Sequence, residues 1–196
     1  KAAKTKYNFQ VHYPGPGVGG PCLPVNSYQM INFAKRIGFN NFTIVEAGRK
    51  INEFMPNHVI ELLKDAFLEF NKEIKNSTIL ILGVSYKPDI KDIQLTPAES
   101  IISSLIKLGC NVKIYDPYFK NTTIFGIKTE NNILNVLKET DGLVVVTTHK
   151  EFHNLDSTFL KSNMRSPIVI DSKCILDQQE ANKSGLIYRG IGRGKS

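Results

Sequence analysis

A glycine-rich stretch that ends at a cysteine is the part of this sequence best suited to chemistry. Gly15, Gly17 and the pair at 19–20 lead into Cys22. Glycine lets a backbone approach a ligand closely because it carries no Cβ. A helical pattern begins directly after the thiol, and a helix start favours the thiolate, which is the reactive form of cysteine. We therefore predict that residues 15–24 form a substrate loop that presents a nucleophile.

The glycines permit other interpretations. The spacing Gly15-x-Gly17-x-x-Gly20 formally matches a dinucleotide-binding fingerprint, but prolines interrupt it and no βαβ unit clearly surrounds it. A structural glycine-rich turn is a further possibility. The position of the thiol between Gly-Gly-Pro and a helix start favours the ligand loop, and the two other interpretations stay open. Residues 194–196 resemble the end of a phosphate-binding loop, but Arg189 stands where its first glycine belongs, so we treat that match as accidental.

Other reactive side chains give weaker indications. Lys87 follows the first predicted strand, where a lysine is either a solvated charge or a contact for a phosphate or a sugar hydroxyl. His149 and His153 are spaced to share a helix face, but no third ligand is evident, so we favour a surface or rim role over a metal site. Cys110 and Cys174 lie beside predicted strands and are interpreted as structural. No Cys/His cluster indicates zinc, so no metal is expected.

Size and composition bound the class of protein. The chain has 196 residues, of which 41% are hydrophobic and 22% charged, as in ordinary soluble globular proteins. The sequence contains no run of about 18 apolar residues, so no membrane span is predicted. The first residues lack the apolar core of a secretory signal. Three widely spaced cysteines argue against a disulfide framework and for a reducing compartment, the cytoplasm. The net charge of +7 comes from scattered Lys and Arg, which disfavours nucleic acid and suits a phosphorylated ligand.

The chain changes character near residue 76, so we predict two domains, 1–76 and 77–196. The first domain is helical after the glycine stretch, and the second alternates apolar strands with helices. The predicted helices of the first domain cover 25–37, about 40 to 54, and a third that Pro56 begins or kinks. The predicted strands cover 78–84, 111–115, 142–147, 167–171 and an edge at 186–188, and the intervening helices cover 96–108, 132–139 and 157–162. This order predicts an α/β fold, a helical segment followed by a doubly wound parallel sheet that binds ligands at the rim formed by the strand C-termini.

Four segments together resemble the UDP-glucose/GDP-mannose dehydrogenase family, the nucleotide-sugar 6-dehydrogenases, and especially the branch that acts on UDP-N-acetylhexosamines. They are YPGPGVGGPCLP at 13–24, AGRKINEFMP at 47–56, LGVSYKPDIKDI at 82–93 with a Thr-Pro pair after it, and VKIYDPY at 112–118. The resemblance implies a catalytic-cysteine loop with part of a helical central domain in 1–76. It implies a Rossmann-like UDP-sugar-binding domain in 77–196. It also implies that the chain is the C-terminal portion of the enzyme, with NAD bound mainly by an N-terminal domain that has no counterpart in these residues.

The resemblance implies a chemistry as well. The family oxidises the C6 alcohol of a UDP-sugar, here UDP-N-acetylmannosamine or UDP-N-acetylglucosamine, to the uronate with NAD, a step of polysaccharide biosynthesis. Cys22 is the implied nucleophile, because thiolate addition to the aldehyde gives a thiohemiacetal and then a thioester, which water hydrolyses. The positions that match substrate-binding ones are His12, Tyr13, Gly15, Gly19, Lys87 and Lys173, and Gln94 matches a cofactor-binding one. A homodimer through the central helices is implied too, and the 196-residue piece alone is expected to be inactive.

Several positions depart from the family pattern. The family usually has Asp four residues after the cysteine to activate water, and Asn26 stands there, which can orient water but cannot take its proton. Gln94 replaces a common Arg, Lys173 replaces another and lacks its bidentate fork for anions, and Pro21 stands where many members have His. These departures motivate an alternative hypothesis, a non-catalytic or lapsed nucleotide-sugar-binding module. A generic Rossmann-type nucleotide binder is the third hypothesis.

Overall fold

A computed structural model describes residues 2–9 and 11–193 of the chain, so the phosphate-loop-like end at 194–196 lies outside the described residues. Within that part, six α-helices and seven strands follow one another. The helices are α1 Leu23–Arg36, α2 Thr43–Glu69, α3 Pro97–Lys107, α4 Ile133–Leu137, α5 Ser157–Asn163 and α6 Gln178–Lys183. The strands are β1 Thr78–Leu82, β2 Asn111–Tyr115, β3 Thr123–Ile124, β4 Ile127–Lys128, β5 Gly142–Val145, β6 Ile168–Asp171 and β7 Ile187–Gly190. Two short 3₁₀ helices cover Ala2–Thr5 and Lys150–Asn154.

Five strands form one parallel sheet in the order β2-β1-β5-β6-β7. The register pairs Leu82 at the end of β1 with Tyr115 and Val145, and it pairs Val145 with Asp171. All four C-terminal ends therefore meet at one rim, and the order reverses direction between β1 and β5. This is a helical segment followed by a doubly wound, Rossmann-like parallel sheet, which confirms the predicted fold class.

The sheet is buried on both faces because its side chains alternate between two apolar cores. Ile79 and Ile81 pack into one core together with residues of α2 and α3. Leu80 and Leu82 pack into the other, together with residues of α4, α5 and α6. A continuous apolar run is what a strand in this position requires, which explains why the strands were the most predictable elements.

The helical segment differs from the prediction in one respect. The sequence predicts two helices separated near Pro56, but α2 runs unbroken through that residue. Pro56 is buried, and the apolar spacing continues beyond it at Val59, Leu63 and Phe67. Packing of this face against the sheet outweighs the loss of one backbone hydrogen bond at the proline.

Smaller differences concern element ends and short elements. The strands predicted for 78–84 and 142–147 both end two residues earlier. Gly83 explains the first case, because its φ of +78° lies in the left-handed region, which a strand cannot continue through. The β3–β4 hairpin and α6 were not predicted at all. No helix in the described part of the chain is long and apolar enough to cross a membrane.

Candidate functional site at the glycine loop

The glycine loop, residues 11–22, contains no regular helix or strand apart from the cap of α1 and is held by the segment that follows β1. The N–H of Gly20 donates to the carbonyl oxygen of Gln94 at 2.8 Å. A Cβ on Gly20 would lie 2.6 Å from the ring of Tyr86, and one on Gly19 would lie 2.5 Å from a carbonyl oxygen of the same segment. Since real Cβ atoms do not come so close, the absence of side chains lets the two backbones pack directly together.

Lys173 reaches the other end of the glycine loop from the rim of the sheet. Its Nζ lies 2.5 Å from the position that a Cβ on Gly15 would occupy. Burial lowers the pKa of the Lys173 ammonium, and no carboxylate within the described residues forms an ion pair with it. Tyr13 and Met55 line the same cavity of about 340 Å³. A partly buried cation that lacks a carboxylate partner favours an anionic ligand, because the ligand would restore the interactions lost with water.

Cys22 is the last residue of the glycine loop and the N-cap of α1. Its thiol is exposed, and so is Asn26. The N–H of Asn26 donates to the carbonyl oxygen of Cys22 at 2.8 Å, so Asn26 lies one helical turn further on the same face. Burial raises the pKa of both other thiols, Cys110 and Cys174, which are therefore less ready to ionise. Cys22 is the thiol that a bound substrate could reach.

The remaining predicted site residues lie on the glycine loop or near it, and their side chains stay exposed. His12 and Tyr13 are exposed on the loop itself, and Lys87 and Gln94 are exposed on the segment that follows β1. Within the described part of the chain, neither His12 nor Lys87 forms an ion pair or a hydrogen bond with the loop through its side chain. The structure thus brings Gly15 next to Lys173 and Gly20 next to Gln94. For Lys87, the contact with the glycine loop comes from its neighbour Tyr86, which packs against Gly20.

Asn52, which is not among the site residues predicted from the sequence, holds the glycine loop from the side of α2. Its side-chain oxygen accepts from the N–H of Val18 at 3.1 Å and from Nη1 of Arg49 at 3.2 Å. Its carbonyl oxygen lies 3.4 Å from the position of a Cβ on Gly17. Pro56, four residues later, has no N–H to donate to that carbonyl. Two features of the sequence point to this position, namely the proline four residues later and the family-like segment 47–56 in which Asn52 lies.

A second cavity of about 390 Å³ lies on the other side of the loop, between α1, α2 and the start of α3. The guanidinium of Arg49 stands 5.5 Å from the ring centroid of Tyr28. Glu53 accepts from the Tyr28 hydroxyl and from Arg49, and the Tyr28 bond, more than Arg49, holds the pKa of Glu53 below its usual range. This cavity therefore combines a cation, a carboxylate and an aromatic face.

The rim of the sheet also carries a buried carboxylate. Asp116, directly after β2, accepts from the N–H of Val84 at 2.8 Å and from that of Tyr118 at 2.9 Å. Nε2 of His149 lies 3.0 Å from its Oδ2. Burial by itself would raise the pKa of Asp116, but the hydrogen bonds from His149 and Val84 outweigh it and lower the pKa.

The two histidines that are spaced to share a helix face do not share one. His149 is buried and precedes the 3₁₀ helix Lys150–Asn154, whereas His153 lies on that helix and is exposed. Within the described residues, no group of three or more His, Cys, Asp or Glu side chains could hold a metal ion.

The glycine loop does not have the form of a dinucleotide site. No strand lies in residues 11–22 to begin a βαβ unit. The space beside the glycines is filled by Lys173 at Gly15 and by Tyr86 at Gly20. The glycines therefore lack the strand–turn–helix setting in which this fingerprint binds a dinucleotide.

Two family descriptions match the chain. Residues 80–178 match the UDP binding domain of the UDP-glucose/GDP-mannose dehydrogenase family. Residues 1–54 match the central domain of the same family. The first match runs from within β1 to the start of α6 and so leaves out β7, and the second covers the glycine loop, α1 and the start of α2.

Curated relatives and solved structures agree with these matches. The UDP-N-acetyl-D-mannosamine dehydrogenase of Pyrococcus horikoshii is 32% identical over 192 residues, which are 98% of this chain and 43% of that protein. The UDP-glucose 6-dehydrogenase TuaD of Bacillus subtilis is 30% identical over 183 residues, 91% of this chain and 39% of that protein. A solved structure of UDP-D-ManNAc dehydrogenase from Pyrococcus horikoshii superposes with a TM-score of 0.85 at 31% identity, covering 100% of this chain and 43% of that one. The chain therefore spans less than half the length of these relatives.

Proposed function

The chain belongs to the UDP-glucose/GDP-mannose dehydrogenase family, and we propose on that premise that it is the C-terminal part of an NAD-dependent nucleotide-sugar 6-dehydrogenase. The proposed substrate is UDP-N-acetylmannosamine or UDP-N-acetylglucosamine, whose C6 alcohol is oxidised to the uronate for polysaccharide biosynthesis. Curated relatives that are UDP-sugar dehydrogenases support this class of reaction. The observation that carries the proposal is the exposed thiol of Cys22 at the end of the glycine loop.

Cys22 supplies the covalent step in this proposal. Loss of a hydride and a proton turns the C6 alcohol into an aldehyde. The Cys22 thiolate adds to the aldehyde carbon, and loss of a second hydride from this thiohemiacetal leaves a thioester. Water then breaks the C–S bond, which releases the carboxylate and restores the thiol. NAD, when bound, accepts the hydrides.

Asn26 is the proposed partner of the hydrolytic water. It lies one turn after Cys22 on the same exposed face of α1. Its carboxamide oxygen can accept a hydrogen bond from the water and so orient it, but the amide does not take up a proton at neutral pH. We therefore expect hydrolysis of the thioester to be the slow step.

The substrate contacts in the proposal are those implied by the family, namely His12, Tyr13, Gly15, Gly19, Lys87 and Lys173. The Lys173 ammonium, desolvated beside Gly15, is suited to an oxygen anion of the ligand. Gln94, exposed beside Gly20, is the proposed contact to the cofactor. Since no strand precedes the glycines to form a dinucleotide-binding βαβ unit, we assign the main NAD site to the part of the relatives that this chain does not span.

Quaternary structure and compartment complete the proposal. We propose two domains, 1–76 and 77–196, and a homodimer through the helical one. Large apolar side chains that stay exposed on the first half of α2 support the dimer, and they include Ile44, Ile51 and Phe54. All three cysteines are free thiols, which supports the cytoplasm as compartment. Light scattering of the wild type and of Ile44→Lys tests the dimer, which the added charge should dissociate.

Turnover by the full-length gene product tests the function. With a UDP-sugar and NAD, we expect Cys22→Ser to lower kcat by about a thousandfold or more, while Cys174→Ser stays close to the wild type. Mass spectrometry after acid quenching should find the uronyl group on the Cys22 peptide. Full activity of Cys22→Ser would contradict the thioester route.

A second candidate function is a nucleotide-sugar-binding module without catalysis, which Asn26 and Gln94 favour. Asn26→Asp separates the two hypotheses. If the enzyme is active, a carboxylate at this position should speed thioester hydrolysis by about a hundredfold, the usual contribution of a general base. If the wild type and Cys22→Ala bind UDP-sugar equally and both lack turnover, the module hypothesis is favoured instead.

A further inference from the structure

A buried histidine connects the segment that carries Lys87 to the rim of the sheet. His149 is 0% exposed. Its Nδ1 lies 3.0 Å from the backbone nitrogen of Asp89, and its Nε2 lies 3.0 Å from Oδ2 of Asp116. A backbone N–H can only donate, so Nδ1 must offer a lone pair. The ring proton is therefore on Nε2, where it is donated to the Asp116 carboxylate.

Asp116 anchors His149 by a hydrogen bond and is itself held by backbone N–H groups. Its side chain is buried, and Oδ2 also accepts from the N–H groups of Val84 at 2.8 Å and Ser85 at 3.4 Å. The carboxylate thus holds the residues that leave β1, while His149 holds Asp89 further along the same segment. One buried charge and one ring fix both ends of a short stretch of chain.

A second hydrogen bond joins Asp89 to the segment that contains His149. Oδ1 of Asp89 accepts from the N–H of Lys150 at 2.9 Å, so positions 89 and 149–150 are joined twice. The φ of Asp89 is +59°, in the left-handed region that residues with a Cβ seldom adopt without support. These two hydrogen bonds offset the strain at that residue.

The segment held in this way, residues 85–92, is closed on itself. The N–H of Tyr86 donates to the carbonyl of Asp92 at 3.0 Å, and the Ser85 hydroxyl donates to the carbonyl of Ile90 at 2.7 Å. Tyr86 packs against Gly20 of the glycine loop, and Lys87, its neighbour, projects an exposed side chain. A displacement at Asp89 would therefore be transmitted to Lys87.

We propose that His149, as the Nε2–H tautomer, is a positioning residue that holds Lys87 at the substrate site by accepting the hydrogen bond from Asp89. The proposal rests on the proposed function, because only there is Lys87 a contact to the nucleotide sugar. His149 itself touches no substrate, since it is enclosed beneath the rim between Tyr118 and Phe152.

Two substitutions separate the two ends of the ring. In His149→Asn, the carboxamide oxygen stands as many bonds from Cα as Nδ1 and can still accept from Asp89. In His149→Gln, the carboxamide stands where Nε2 was, so the link to Asp116 can form but Asp89 loses its acceptor. Amide exchange of the chain followed by NMR should show Asp89 exchanging at least about tenfold faster in His149→Gln and close to the wild type in His149→Asn. Core amides such as that of Val144 control for global unfolding.

The binding of UDP, measured by calorimetry, tests the connection to Lys87. We expect His149→Gln to weaken UDP binding about fivefold, the equivalent of one hydrogen bond, and His149→Asn to restore most of it. In the Lys87→Ala background, His149→Gln should change UDP affinity by less than about twofold, because the residue that it positions is gone. A purely structural role would instead give the same fold-change in both backgrounds.

Three results would overturn the proposal. One is a ¹⁵N-histidine spectrum that shows a proton on Nδ1 of His149, assigned by its loss in His149→Gln. Another is equal exchange of the Asp89 amide in the two variants. The third is a fold-change in UDP affinity that is independent of Lys87. If the wild type binds no UDP at all, the proposed function fails, and the tautomer and the Asp89 exchange still decide whether His149 holds the segment.

Discussion

The two halves of α2 lie in contrasting surroundings. In the first half, Ile44 and Ile51 are 86% and 66% exposed. In the second half, Val59 and Leu63 are both 0% exposed, because this part of the helix packs on the parallel sheet. The same helix therefore belongs to a complete core at one end and presents an uncovered apolar face at the other.

This difference shows where the fold is self-sufficient. The sheet has helices on both faces and two cores of its own, so its apolar side chains need no further partner. Within the residues that the structure describes, no second layer covers the start of α2, where Ile44 and Ile51 stay exposed. Exposed apolar faces of this kind mark interaction surfaces in soluble proteins, which is the physical basis of the proposed homodimer.

Substitution of one isoleucine in each half of α2 tests the contrast most strongly. Ile60 is 6% exposed and Ile51 is 66% exposed. We expect Ile60→Ala to lower the free energy of unfolding by about 2–5 kcal/mol, since it removes buried methyl groups and leaves a cavity. Ile51→Ala should change it by less than about 0.5 kcal/mol. Urea denaturation measures both, and equal losses would show that the first half of α2 is covered in the free chain.

A pair of glycines offers a second comparison, between the glycine loop and the end of α1. Gly20 and Gly38 both have positive φ, at +90° and +79°. A Cβ on Gly20 would meet the Tyr86 ring, whereas one on Gly38 would meet nothing within 4 Å. We expect Gly38→Ala to cost about 1 kcal/mol of backbone strain and Gly20→Ala about 2–3 kcal/mol, because the second adds a steric clash.

The measurement for the glycine pair is urea denaturation combined with the rate at which iodoacetamide alkylates Cys22. Only Gly20→Ala should alter that rate, because only this substitution displaces the loop that ends at the thiol. If both variants cost the same stability and react alike, the packing of the loop against Tyr86 is not a constraint on its shape.

Two carboxylates allow a comparison by pH. Hydrogen bonds from His149 and Val84 outweigh burial and lower the pKa of Asp116, while the Tyr28 hydroxyl, more than Arg49, lowers the pKa of Glu53. A lowered pKa in the folded state means that the ionised group stabilises the fold above its unfolded pKa of about 4. That stabilisation is lost as the pH falls through the folded-state value.

We expect Asp116→Asn to lower the free energy of unfolding by about 1–3 kcal/mol at neutral pH, because buried N–H donors lose a charged acceptor. The difference from the wild type should shrink as the pH falls below about 4. Glu53→Gln should follow the wild-type pH profile closely, since the Glu53 side chain is 49% exposed and solvent screens its interactions. Denaturation series over this pH range measure both, and a difference for Asp116→Asn that does not depend on pH would contradict the assignment.

The sequence predicted the sheet well because local information suffices there. Residues 111–115 form β2 as predicted, and the other strands deviate by two residues or fewer at their ends. Pro56 caused the main error in the helical half, because a proline predicts a break unless packing on the sheet outweighs it. The short α6 and the β3–β4 hairpin contain too few apolar residues to show the regular apolar spacing from which a helix or a strand is predicted.

The glycine loop was predictable in kind but not in its contacts. Its glycines and Cys22 are visible in the sequence, but the residues that shape the loop come from elsewhere in the chain. Val18 binds Asn52, which is 34 positions away, and Gly15 meets Lys173. Which distant side chain fills the space beside a glycine depends on how α2 and the sheet are assembled, and no local pattern encodes that.

The smallest expected effect concerns the ion pair that joins α1 to α2. Nζ of Lys35 lies 3.0 Å from Oε1 of Glu46, with the two side chains 60% and 29% exposed. A double-mutant cycle with alanine should give a coupling below about 0.5 kcal/mol that vanishes in high salt. Arg189 and Asp65 join β7 to the second half of α2 at 2.9 Å, and the Arg189 side chain is only 6% exposed. The coupling free energy from the matching cycle for this pair should exceed about 1 kcal/mol and persist in high salt. A strong, salt-resistant coupling at Lys35 would mean that the helical half is fixed as firmly as the sheet, and its exposed face would then need no partner for order.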